Sequence, residues 1–193
     1  MRKFDYVFGI GPGKSGTHSL WFALEALGIA TIHLGNAGYL NGGDAVLAKR
    51  MIANKANSRP ILQGVDEARA YVDWPIHSLV PELDAQHPNA LFVLTYRNPD
   101  DIALSWCRMC HAQGIHLPPD YYSKLEEARL MYHNAFKHFS GRPEKLLVLD
   151  TTVSGTANML KLADFLGAPE PTMDWPHEFN HRDWYRAQKH GES

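Results

Sequence analysis

Two cysteines, Cys107 and Cys110, are too few for a disulfide scaffold, and their scarcity points to a reducing cytoplasm. No apolar run approaches the roughly 20 residues that a membrane-spanning helix needs. The longest, such as Ala90–Tyr96 and Leu146–Leu149, have the length of strands. Neither sign of charge dominates. Nineteen Lys plus Arg stand against 21 Asp plus Glu, which excludes a global positive field for nucleic acid or an anionic membrane surface. Any anion site must be local. Internal repeats and low-complexity tracts are also missing, so residues 1–193 are expected to form one domain. Near the N-terminus, Asp5 and a run of glycines stand where a secretory signal would need its apolar core, so the chain is expected to open in a strand.

Strand and helix patterns alternate along the chain. Phe4–Ile10 reads as a strand ending in glycines, and Thr17–Leu27 as a helix with Leu20, Leu24 and Leu27 on one face, stopped by Gly28. Ile29–His33 is a second strand, Gly35–Gly43 a loop, and Asp44–Ala56 a helix that Asp44 caps. Ala68–Val72 is a short strand, after which Pro75 suits the first turn of a helix towards Gln86. Ala90–Tyr96 is the clearest buried strand, and a helix follows Pro99. Asp120–Phe139 is a long helix, Lys145–Leu149 a buried strand, and Thr156–Leu166 a last helix ended by Gly167. This order predicts a three-layer α/β/α domain around a central parallel sheet. The tail from Pro169, with Trp175, Phe179, Trp184 and Tyr185, reads as an arm packed on the domain or serving a partner subunit, and a homodimer is left open.

Between the first strand and the first helix lies Gly9-Ile10-Gly11-Pro12-Gly13-Lys14-Ser15-Gly16-Thr17. Backbone N–H groups at a helix start make an anion cradle, glycines admit a phosphate to the backbone, and Lys14 adds a full charge. A Walker A pattern would need glycine where Phe8 stands. Gly11, Gly13 and Gly16 also fit G-x-G-x-x-G, but the second strand closes in His33 and Leu34 instead of the acidic residue that a dinucleotide site needs. A bare glycine-rich turn is the plainest alternative. A second anion site starts at the end of the best strand, in Arg97-Asn98-Pro99-Asp100-Asp101, with Ser105 about two helical turns further on. Arg97 emerges at the sheet edge where the loop lies, and an Arg fork with a hydroxyl clasps phosphate. The plainer reading pairs Arg97 with Asp100 or Asp101.

Together these segments resemble the sulfotransferases. Gly13, Lys14, Ser15, Gly16, Thr17 and His18 are similar to that family's 5′-phosphosulfate loop, with its K/R-[ST]-G-T-x-x-L core. Arg97-Asn98-Pro99-Asp100-Asp101 with Ser105 resembles its 3′-phosphate motif, R-N-P-x-D followed by Ser. The likeness runs over roughly residues 4–167 and is nearest the short branch once likened to epimerases. It implies a P-loop-like sulfotransferase fold and a donor, 3′-phosphoadenosine 5′-phosphosulfate (PAPS), that leaves as PAP; no metal is required. It also implies that Lys14 to His18, with Ser19 beside them, hold the 5′-phosphosulfate, and that Arg97 and Ser105 hold the 3′-phosphate. Lys14 would further neutralise the oxygen on which charge develops as the S–O bond breaks. The family's C-terminal R-K-G-x-x-G-D-W segment is not visible, and Asn180-His181-Arg182-Asp183-Trp184-Tyr185 shares only its Asp-Trp pair. Either Arg182, Arg186 and Lys189 provide a different lid, or the nucleotide site is more open.

Sulfuryl transfer to a hydroxyl needs a base. Cytosolic members of the family carry a His in K-T-H-L-P; the equivalent stretch here is Tyr71-Val72-Asp73-Trp74-Pro75, which makes Asp73 the first candidate. Its plainer role is a helix cap ahead of Pro75. His33 is the second candidate base, with Asp66 and Glu67 behind it. His111, His116, Leu117-Pro118-Pro119 and the pair Tyr121-Tyr122 are candidates to wall the acceptor pocket. Trp74 and Trp106 suit either adenine stacking or the core. The Cys107-Cys110 pair falls inside a helix, where buried positions are the simpler reading than a redox or zinc site. The expected function is transfer of a sulfuryl group from PAPS to a hydroxyl or amine of a small-molecule or glycan acceptor. The alternatives are a P-loop kinase or nucleotide hydrolase, for which Asp150 would hold magnesium, and a non-catalytic nucleotide-binding module.

Overall fold

A computed structural model describes residues 3–35, 45–65, 68–112, 120–153 and 155–176. Asp66, Glu67, Asp44, residues 36–43 of the glycine-rich loop, His116 with its neighbours Leu117 to Pro119, and the tail beyond Pro176 lie outside these residues.

Five strands form one parallel sheet: β1 (Val7–Gly9), β2 (Thr31–His33), β3 (Ala70–Val72), β4 (Leu91–Tyr96) and β5 (Leu146–Asp150), in the order β2-β3-β1-β4-β5. Helices α1 (Thr17–Ala26), α2 (Ala45–Ala56), α3 (Val80–Gln86), α4 (Pro99–Ala112), α5 (Tyr121–Phe139) and α6 (Ala157–Leu166) cover it. The two-residue period of a strand sends alternate side chains to opposite faces. Phe8, Tyr71, Phe92 and Leu94 meet α2, α3, α4 and α5 on one face, whereas Val7, Ala70, Val72, Leu91 and Val93 meet α1 and α6 on the other. Both faces are therefore dry, which is why the strands read as unbroken apolar runs. The three-layer α/β/α architecture is the one that the alternating pattern predicts.

Two local expectations are corrected. Pro75 does not open one helix to Gln86: a 3-10 turn, Ile76–Ser78, comes first, and α3 starts at Val80 with Pro81 in its opening turn. In a continuous helix Pro81 would lack its N–H bond and press on the carbonyl of His77, so the helix restarts where a proline is tolerated. Lys145 ends a 3-10 turn ahead of β5 instead of entering the strand, because its ammonium reaches back to Asp84 and the Pro88 carbonyl.

Asp84 ties this region together. Its buried carboxylate accepts from Lys145, from Arg142 at 2.6 Å and from His138 at 2.8 Å, joining α3 to the end of α5 and the start of β5. Burial pulls the carboxyl upwards, yet the hydrogen bonds from Lys145, Arg142 and His138 bring it down to about 2. Asp84→Asn is expected to lower unfolding free energy by about 3 kcal/mol at neutral pH, the low end for breaking a buried pair because Arg142 and His138 reach solvent. A folded-state pKa below the unfolded one stabilises above the unfolded value, near 4, and the contribution is lost as pH falls towards 2. Denaturant titrations of both proteins across that window check it.

At the other end of the chain Trp175 is buried among Leu149, Met159 and Leu162, and its backbone N–H donates to the Gly155 carbonyl at 3.0 Å. The first part of the arm is thus anchored beside β5 and α6.

Candidate active site

A parallel sheet brings all its carboxyl ends to one edge. Register aligns Gly9 with Val72 and Val93, and His33 with Val72, so the phosphate loop, His33 and Asp73 leave neighbouring strands at the same level. β4 runs on to Tyr96, opposite Asp150, and lifts Thr95 and Arg97 alongside the loop.

Close packing shapes the loop. A Cβ on Gly11 would stand 1.8 Å from Thr95 Oγ1 and 2.8 Å from the Thr95 carbonyl oxygen, and one on Gly13 would stand 2.9 Å from the Trp106 ring. Gly11→Ala is expected to cost about 3 kcal/mol of stability, since a β-strand carbonyl cannot step aside as a side chain can; a chemical denaturation midpoint measures it. Gly16, at φ 100°, is the N-cap of α1, which has no capping side chain and no acidic residue in its first turn. The positive helix end is left open to an anion.

Lys14 has φ 73° and Asp73 has φ 78°; among the described residues only Ser58 joins them as non-glycine positions with positive φ. Such backbone is disfavoured for side-chain-bearing residues and gathers where function demands it. The Lys14 ammonium lies 5.7 Å from the centre of the Trp106 ring, and burial lowers its pKa to about 8 despite the nearby Asp73 carboxylate. Trp106 underlies the loop and packs on the core.

Asp73 is bound by donors on both oxygens. Oδ1 accepts from the Trp74 N–H at 2.7 Å, while Oδ2 accepts from the Thr17 hydroxyl at 3.2 Å and lies 3.2 Å from His33 Nε2. The cap position ahead of the 3-10 turn belongs to Pro75, so Asp73 is not a helix cap. Burial pushes its carboxyl above the ordinary range, while the Trp74 N–H, the nearby His18 and the Thr17 hydroxyl act to lower it. His33 is buried, and burial lowers it to about 4, so it is neutral at physiological pH. Its Nδ1 accepts from the Gly35 N–H at 3.3 Å, which assigns the ring proton to Nε2, facing Asp73 and Thr17. The His18 ring lies against it, with centroids 4.0 Å apart.

Arg97 donates from Nη1 to the Lys14 carbonyl at 3.3 Å, which links the two candidate anion-binding segments; Asp100 instead accepts from the Tyr121 hydroxyl at 2.5 Å and Asp101 is exposed. The Tyr132 hydroxyl brackets Arg97, accepting from its N–H and donating to its carbonyl, each at 3.0 Å. Ser105 is half-buried on α4. Cys110 is buried and Cys107 half-buried on that helix, neither in a disulfide. Trp74 is 43% exposed beside Asp73, His111 is exposed on α4, and Tyr122 is exposed at the start of α5. Asp150 turns its Oδ1 to the Thr152 N–H and hydroxyl, closing its own turn.

The sequence named Lys14, Arg97 and Asp73, which the fold brings to one sheet edge; it did not single out Thr95, Thr151 or Tyr132, which bond to Ser15 and Arg97 there. Ser15 is fully buried, and its hydroxyl is engaged with the Pro12 carbonyl and Thr95 Oγ1, both at 2.6 Å. Thr151 donates to the Ser15 carbonyl at 2.7 Å.

A glycine loop feeding a helix with no capping side chain, at the carboxyl edge of a parallel sheet, is an arrangement that α/β proteins use to bind phosphate. The sequence profile of the Sulfotransferase domain matches residues 6–142. The chain belongs to that family. No curated protein matches it. Among solved structures it is similar to a "Sulfotransferase Domain from the Curacin Biosynthetic Pathway", with a TM-score of 0.52 and 15% identity over 88% of this chain and 76% of that one. It is similar also to the mouse sulfotransferase SULT7A1 complexed with PAP, with a TM-score of 0.52 and 15% identity over 84% of this chain and 59% of that enzyme. The second alignment therefore spans well under two thirds of the mouse protein. At this identity both likenesses speak for the fold.

Proposed function

We propose that this protein transfers a sulfuryl group from PAPS to a hydroxyl or amine of a small-molecule or glycan acceptor, with Asp73 as the general base. The observation that carries the reading is the 3.2 Å bond between Thr17, first residue of α1, and Asp73, which sets a carboxylate of raised pKa beside the anion cradle. A carboxylate has about four lone-pair sites. Trp74 and Thr17 supply two donors, with His33 Nε2 close by at 3.2 Å, which leaves room for an acceptor O–H.

The residues fit the donor. Gly11 and Gly13 bring backbone close, the start of α1 has no capping side chain, Lys14 provides a positive charge, and Arg97 stands a short step away for a second phosphate. PAPS supplies the sulfuryl group through an S–O bond to its 5′-phosphate. As the acceptor oxygen bonds to sulfur and that S–O bond breaks, Asp73 takes the acceptor proton and Lys14 meets the charge growing on the departing phosphate. His33, with its proton on Nε2, orients Asp73 and does not itself accept the proton. Gly13 and the backbone of Ser15 to His18 would hold the 5′ end, and Arg97 with Ser105 the 3′-phosphate. Among the described residues no helix is long and apolar enough to cross a membrane, and the scarcity of cysteine supports a reducing cytoplasm.

Incubating the protein with PAPS and a panel of phenols, aliphatic alcohols, amines and glycans, and following PAP release, tests the reading. Acceptor-dependent release is expected from at least one class. Release no faster than the blank across the panel, by protein that binds PAP, would favour the non-catalytic module.

A further inference from the structure

We propose that Thr95 and Thr151 are positioning residues of the donor site, which hold the Ser15–Gly16 peptide so that its N–H faces the bound phosphosulfate. This rests on the donor reading above. Thr95, on β4, is fully buried. The Ser15 hydroxyl has one proton and gives it to the Pro12 carbonyl at 2.6 Å, so in the 2.6 Å contact with Thr95 the threonine is the donor. The Ser15 hydroxyl is thereby engaged inside the loop, and Ser15 serves a ligand through its backbone.

Thr151 follows β5. Its hydroxyl has the Ser15 carbonyl at 2.7 Å as its nearer acceptor and the Tyr96 carbonyl at 3.1 Å, while its N–H donates to the same Tyr96 carbonyl at 3.0 Å. The residue is thus pinned to the end of β4 and grips the loop from there. In a planar trans peptide the C=O and N–H point in opposite directions. Holding the Ser15 carbonyl against Thr151 turns the Gly16 N–H away from β5. The fit is close, for a Cβ on Gly16 would stand 2.9 Å from the Thr151 methyl. Arg97 holds the preceding carbonyl, that of Lys14, at 3.3 Å. Two consecutive peptides are therefore fixed from the β4–β5 side, and a cradle fixed before the anion arrives loses less freedom on binding.

Thr→Val keeps the branched shape and removes the hydroxyl; Thr→Ser keeps the hydroxyl. Calorimetric titration with PAP is expected to show about tenfold weaker binding for Thr95→Val and for Thr151→Val, and near-native binding for the serine variants. Melting temperatures are measured alongside. In a double-mutant cycle, Thr95→Val is expected to add little to Ser15→Ala, because the two hydroxyls act as one brace. Native PAP affinity in both valine variants, whatever their melting temperatures, would overturn the proposal. So would fully additive losses, which would mean that the Ser15 hydroxyl touches the donor directly. Should Thr95→Val fail to fold, Thr151→Val, at a half-buried site, decides alone. Absence of PAP binding by the unmodified protein would instead overturn the donor reading.

Discussion

Lys14→Ala is expected to lower turnover by about a hundred- to a thousandfold, the effect of removing one charge-stabilising group from a leaving oxygen. The loop should survive the change. Lys14 already occupies left-handed backbone at φ 73°, where alanine is no more strained, and its ammonium packs on the half-exposed Trp106 rather than in the core. Burial lowers the Lys14 ammonium to about 8, so kcat/KM for the donor should fall as pH rises through that value and the charge disappears. Lys14→Arg, which stays charged, should move the fall to higher pH. Steady-state kinetics with varied PAPS from pH 6 to 10 measure both effects.

Asp73→Asn is the second large effect, with turnover expected to drop by about 10²–10⁴ and little change in PAP affinity, because a general base acts in the transition state and not on the bound nucleotide. The amide preserves shape, and its oxygen still accepts from Thr17 or Trp74. In the unmodified enzyme the base must be ionised, so activity rises with pH through the Asp73 pKa, which burial sets above the usual carboxylate range. The variant should lack that acid limb. A retained limb would assign it to another group.

Local chemistry was legible in the sequence, and long-range pairing was not. The succession of strands and helices along the chain followed from apolar runs alternating with helical periodicity, and the candidate anion loop from glycines, a lysine and hydroxyls at one strand-to-helix junction. Asp73 was legible as a candidate because Tyr71 to Pro75 resembles the family's K-T-H-L-P stretch. Its partners were not: His33 and Thr17 stand 40 and 56 residues earlier and meet it only because β2, β3 and β1 are neighbours in register. Thr151 grips a carbonyl 136 residues away, and Thr95 a hydroxyl 80 residues away. Nothing in the local pattern distinguishes either threonine from an ordinary strand or turn residue. The break before α3, by contrast, is written in Pro81, whose effect on a helix is local.

Calorimetric titration with PAP, beside ATP with magnesium, on the unmodified protein and on Lys14→Ala and Arg97→Ala, tests the central claim most directly. The two anion-binding segments are expected to prefer PAP, the nucleotide with a 3′-phosphate, and both variants to lose most of that affinity. Tighter binding of ATP with magnesium, or PAP binding indifferent to both substitutions, would contradict the assignment of this sheet edge to a sulfuryl donor.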